Sequence, residues 1–164
     1  MCLQYVSDIV SLFGSKAFSK GSLLLAKLAE EVVREEIQKD SLPIVLTGHS
    51  LGGGVANIVA SKLGVISFAV SPPGIYLGTN IYGLNKNDIN ILSRSVVPER
   101  DPISSLGVNG GEIISIPCYE SSSFNCHTLK HSECTISSLC HLKEKSNYCK
   151  AEWQRWGIDS SYWK

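Results

Sequence analysis

Pro43-Ile-Val-Leu-Thr-Gly-His-Ser-Leu-Gly-Gly-Gly54 decides how the rest of this chain is read. Pro43 to Thr47 is a short, apolar, β-rich run that leads directly into Gly48-x-Ser50-x-Gly52. Residues 53–63 follow with small side chains, Ala56, Ala60 and Ser61 falling at helical spacing. The pattern predicts a buried strand, a tight turn and a helix. A serine hydroxyl is a poor nucleophile until the backbone holds it exposed beside a base. A strand-to-helix turn does this, with Gly48 and Gly52 expected where a Cβ would meet neighbouring backbone. The same turn presents the first helical amides, Leu51 N–H among them, to negative charge developing on an attacked carbonyl. His49 is adjacent to the serine but points elsewhere, and is read as a packing or orienting residue.

The 164 residues suit one domain, 1–164, with enough length to bury a core. Apolar residues make up 43% and charged residues 18%, and the formal net charge is zero, which argues against a polyanionic partner such as nucleic acid. No stretch is long and apolar enough to span a bilayer. The first residues lack the basic and apolar regions of a secretory signal. Yet five of the six cysteines, Cys118, Cys126, Cys134, Cys140 and Cys149, crowd residues 118–149. In a Ser- and Asn-rich setting they point to disulfides and an oxidising compartment. The two observations together predict an extracytosolic protein, secreted or vacuolar/lysosomal, whose signal lies upstream of Met1.

Outward from the elbow, residues 21–39 predict a helix. Leu24, Leu25, Leu28, Val32, Val33 and Ile37 form its apolar face, and Glu30, Glu31, Arg34, Glu35 and Glu36 a solvated one. Residues 65–70 predict a second buried strand, and strand, helix and strand in that order imply a parallel sheet. Residues 75–90, rich in Gly, Asn and Tyr, read as loop. Residues 89–97 and 112–118 are the third and fourth strand candidates. A short helix is expected between His127 and Leu142, and a Trp-bearing tail that packs on the core.

A serine nucleophile needs a base, and the base needs a carboxylate to fix its tautomer. In a parallel sheet both sit on loops beyond the carboxyl ends of the strands. Asp101-Pro102 follows such an end, with Glu99 and Asp88 as alternative carboxylates. His127, His131 and His141 all come later in the chain. A rival reading gathers Cys126, His127, His131, Cys134, Cys140 and His141 around zinc, but the C-x₂-C pairs that usually nucleate structural sites are absent.

Thr47-Gly-His-Ser-Leu-Gly-Gly53 resembles the elbow of the fungal-type (class 3) lipases, an α/β-hydrolase family acting on acylglycerols and related esters. The branch of autophagy-related vacuolar lipases looks most similar. The resemblance implies a partial α/β-hydrolase fold, a mostly parallel sheet with flanking helices and a cysteine-stapled C-terminal segment. It also implies a triad in the order Ser50, Asp101, His127. That branch carries its histidine directly after a cysteine, which favours Cys126-His127 over Cys140-His141 and leaves His141 as the alternative base. The implied chemistry needs no cofactor or metal, and the implied partner is a lipid ester at a membrane or lipid-droplet surface. The likeness spans residues from about 21 to 127. The N-terminal third of the family domain, with its lid and its Arg-Gly-Thr/Ser-like turn bearing a second oxyanion donor, is expected to be missing. Residues 8–20 would be at most a lid remnant. Two functions follow: a serine hydrolase of lipid carboxylic esters, or a catalytically impaired remnant that binds lipid or protein.

Overall fold

The computed structural model describes residues 15–39, 43–140 and 146–158. Helix α1 (Ser15–Lys39) precedes strand β1 (Val45–His49), and helix α2 (Leu51–Leu63) begins immediately after Ser50. Gly64 ends α2 in the left-handed region, its N–H capping the Ala60 carbonyl. Strand β2 (Ile66–Val70) then pairs in parallel with β1, setting Val45 opposite Ile66 and His49 opposite Val70. Strands β3 (Ser93–Pro98) and β4 (Glu112–Ile116) complete a four-stranded sheet in the order β1-β2-β3-β4, every pair parallel. This is a partial α/β fold with flanking helices, as the strand-helix-strand pattern predicted. Parallel strands carry all their carboxyl ends to one edge, and the loops leaving that edge converge.

One face of the sheet is sealed by α2. Ile58, Val59, Ile75, Ile89 and Ala26 form the buried apolar cluster on that side. Asn57 of α2 accepts from the Ser67 hydroxyl at 2.8 Å and its amide donates to Ser95 at 3.3 Å, so these three buried side chains satisfy one another between helix and sheet. On the other face Val45, Ile66 and Phe68 stay exposed, with the Arg94 guanidinium over the Phe68 ring.

Four expectations are corrected. Leu24, Leu25, Leu28, Val32 and Ile37 of α1 are exposed, while Ser22 and Ala26 are buried and Ala29 and Val33 half-buried. The small-residue row wins because α2 is itself built from Gly, Ala and Val, and two such surfaces approach closely. Glu30 fixes the contact through Lys62 at 3.1 Å. Residues 75–90 are not a plain loop. A 3₁₀ turn (Tyr76–Gly78) and helix α3 (Thr79–Tyr82) occupy its start, and helix α4 (Lys86–Leu92) its end. The third strand therefore starts at Ser93 rather than Ile89, because Asn85 caps α4 by accepting from the Asn87 N–H. The fourth strand ends at Ile116.

The C-terminal segment holds helices α5 (Ser123–Cys126), α6 (Leu129–Leu139) and α7 (Ser146–Arg155). Disulfides join Cys118 to Cys126 and Cys134 to Cys149, a pattern compatible with an extracytosolic location. Cys140 is an exposed free thiol, and Cys2 lies outside the described residues. Trp153 is wholly buried against Cys134 and Cys149 and donates its indole N–H to the Cys134 carbonyl at 2.9 Å. Among the described residues no helix is long and apolar enough to cross a membrane.

Candidate active site

Ser50 sits between β1 and α2 with φ 56° and ψ −128°. A non-glycine residue in this region stores roughly 1–3 kcal/mol of backbone strain, sustained only where the surroundings over-determine it. Here they do. Ser50 N–H donates to the Val70 carbonyl at 3.0 Å, and the Ser50 carbonyl accepts from Gly54 N–H at 3.1 Å. The two motif glycines differ in their reasons. A Cβ on Gly48 would lie 2.3 Å from the Gly52 carbonyl oxygen, so nothing larger fits there. A Cβ on Gly52 would meet nothing within 4 Å, which corrects the expectation that both are sterically required.

Asp101 lies in the turn after β3, its N–H bonded to the Pro98 carbonyl at 3.2 Å. The residue is 1% exposed. Its Oδ1 accepts from Ile103 N–H at 2.8 Å and Ser104 N–H at 3.3 Å, and its Oδ2 from the Ser104 hydroxyl at 3.0 Å. Burial pushes the carboxyl pKa up, but hydrogen bonds from His127 and Ile103 N–H outweigh it and hold the pKa below 3.8. The Ser71 hydroxyl faces the carboxylate but stops short of hydrogen-bonding geometry. Neighbouring Arg100 takes φ 62° and donates to the carbonyls of Cys118 and Glu120, tying this turn to the loop that leads into α5.

His127 follows α5, one residue beyond the Cys118–Cys126 bridge that anchors it near the end of β4. Its Nδ1 lies 3.0 Å from both Asp101 oxygens, and its Nε2 lies 2.8 Å from Ser50 Oγ. With the proton assigned to Nδ1 by the buried carboxylate, Nε2 is left as an acceptor facing the serine hydroxyl. The arrangement can take a proton from Ser50 and hold the resulting imidazolium beside an anion. Leu51, the first residue of α2, has no preceding helical turn for its N–H to bond.

The remaining candidates fall elsewhere. His131 is 2% exposed in α6, its Nε2 accepting from Tyr119 N–H at 3.3 Å, and burial pushes its pKa down. His141 lies outside the described residues. Asp88 belongs to the first turn of α4, and Glu99 is exposed. Cys126 and Cys134 are both in disulfides, and the described residues hold no cluster suited to a metal ion. His49, read from the sequence as a packing or orienting residue, makes a specific polar contact. Its Nε2 lies 2.8 Å from the His127 carbonyl oxygen. Sequence reasoning also missed Ser104, although Asp-Pro-x-Ser is an Asx-turn pattern that could have pointed to it.

A family model described as lipase (class 3) matches residues 6–71, from before α1 to the residue after β2. The match includes the whole elbow and supports a class 3 lipase family and, in general terms, hydrolysis of lipid carboxylic esters. It starts earlier and stops sooner than the resemblance read from the sequence, and Asp101 and His127 lie beyond it. No curated protein matches the chain.

Proposed function

We propose that this chain is a serine hydrolase that cleaves carboxylic esters of lipids, acylglycerol or phospholipid, through Ser50, His127 and Asp101. The observation that carries the reading is the continuous contact from Ser50 Oγ through both ring nitrogens of His127 to a buried carboxylate. Ser50 Oγ attacks the ester carbonyl carbon as His127 Nε2 takes the hydroxyl proton. The carbonyl oxygen becomes an oxyanion at the Leu51 N–H, and Asp101 stabilises the imidazolium. When the tetrahedral intermediate collapses, the C–O bond to the alcohol breaks and Nε2 returns its proton to that oxygen. Water, deprotonated by Nε2, then attacks the acyl-serine, and the fatty acid leaves as Ser50 regains its proton.

The lipid class rests on the family match. A lipid surface as the working partner is supported by Phe124 and Leu129, two exposed apolar side chains that bracket His127 in the chain. The disulfides support work outside the cytosol, secreted or vacuolar, and the Cys126-His127 pair supports the autophagy-related branch.

The test is labelling of the purified chain with a fluorophosphonate, read by intact mass, beside Ser50→Ala. One adduct, lost in Ser50→Ala together with ester hydrolysis, is the expected result. A folded wild-type chain that takes no adduct would sink the enzyme reading in favour of a lipid- or protein-binding module.

A further inference from the structure

His49 Nε2 lies 2.8 Å from the backbone carbonyl of His127, and the two imidazole rings stand 4.9 Å apart at 36°. The acceptor belongs to the same residue whose side chain contacts Ser50. A carbonyl oxygen only accepts, so His49 must donate, and its Nε2 carries the proton. From this contact we infer that His49 is the positioning residue that fixes the separation between nucleophile and base. The inference rests on the serine-hydrolase reading above.

The geometry leaves a particular task for it. Asp101 meets Nδ1 with two oxygens at equal 3.0 Å distances, an arrangement that holds the ring but lets it pivot. The Cys118–Cys126 bridge restrains the chain before His127 and ties it to the end of β4. Neither restraint refers to Ser50. His49 does, because it is covalently adjacent to Ser50 and hydrogen-bonded to residue 127. Beside the direct contact of Oγ with Nε2, the route Ser50–His49···His127 joins the backbones of the two reacting residues through one hydrogen bond. The half-buried His49 ring also packs beside the His127 ring, tilted 36° to it. A base displaced by about 1 Å can lose on the order of 10²-fold in rate, so a local link of this kind acts on turnover more than on substrate binding.

The experiment compares wild type, His49→Phe and His49→Gln in hydrolysis of a water-soluble p-nitrophenyl ester, with thermal unfolding as the control for folding. His49→Phe is expected to lower kcat roughly 10- to 100-fold while KM stays within about twofold. His49→Gln keeps an N–H donor of similar reach and should recover most of that loss. A folded His49→Phe with unchanged kcat, or a folded His49→Gln no better than His49→Phe, overturns the assignment. In the chain labelled with ¹⁵N-histidine, NMR should find His49 as the Nε2–H tautomer. The Nδ1–H tautomer overturns the contact whether or not the chain is active. A wild-type chain that neither hydrolyses ester nor takes a fluorophosphonate removes the serine-hydrolase reading and the role of His49 with it, whereas loss of the His49 effect in an active chain removes only the latter.

Discussion

Replacing each motif glycine by alanine separates two explanations of the elbow, steric necessity and mere turn preference. At Gly48 the new Cβ would lie 2.3 Å from the Gly52 carbonyl oxygen, 2.4 Å from its carbon and 2.7 Å from the Gly53 nitrogen. All three are backbone atoms of the first turn of α2, which the bond from Gly54 N–H to the Ser50 carbonyl holds in place. Overpacking that side chains can absorb costs about 1–3 kcal/mol. Here the backbone itself would have to move, so Gly48→Ala should cost about 3 kcal/mol or more. At Gly52 the added methyl meets nothing within 4 Å. Gly52 lies in α2, where alanine outranks glycine by roughly 0.5–1 kcal/mol, so Gly52→Ala should be neutral to stabilising. The two variants should thus differ by about 4 kcal/mol in urea unfolding followed by circular dichroism with the disulfides intact. For a chain of this size Gly48→Ala should melt about 6–12 °C lower. The reasoning is refuted if Gly48→Ala unfolds within about 1 kcal/mol of wild type, or if Gly52→Ala is equally damaging.

The folded-state pKa of Asp101 is held below its ordinary value of 3.8, so the carboxylate contributes stability that is present above that value and lost as pH falls through the folded pKa. Asp101→Asn should therefore flatten the decline of the urea midpoint as pH falls below 3.8, and an unchanged decline would show that this carboxylate is not held as described. Removing the Cys118–Cys126 bridge by a double Cys→Ser change frees a loop with a sequence separation of 8, against 15 for Cys134–Cys149. Loop closure assigns the two bridges about 2.5 and 3 kcal/mol, so the stability losses should be similar. Loss of Cys118–Cys126 should abolish ester hydrolysis in a still-folded chain, whereas loss of the second bridge should spare it; the reverse ranking would separate the first bridge from the proposed base.

The elbow was legible in the sequence because its determinants are local. An apolar β-rich run, a turn that tolerates no Cβ at Gly48 and a helix of small residues specify strand, turn and helix within about twenty positions, and parallel pairing follows from their order. The helix at Lys86–Leu92 was hidden, because its capping signal at Asn85 sits in an Asn- and Gly-rich stretch that also reads as loop. For α1 the period was right and the face mostly wrong: of the apolar row read from the sequence only Val33 packs on the core, and the rest is exposed. Only the packing partners select the buried row, in which Ala26, Ala29 and Val33 join the cluster around α2 and Ser22 meets the Tyr82 hydroxyl at 3.1 Å. The site divides in the same way. Residue type and chain order named Ser50, Asp101 and His127 as candidates, and left Glu99, Asp88, His131 and His141 beside them. That His127 spans 2.8 Å to Ser50 and 3.0 Å to Asp101 across separations of 77 and 26 residues is a product of tertiary structure. Parallel register brings the ends of β1 and β3 to one edge, and a disulfide and a guanidinium tie the histidine loop to that edge. The link from His49 to the His127 carbonyl belongs wholly to the tertiary level, because no local pattern records which distant backbone oxygen an imidazole will meet.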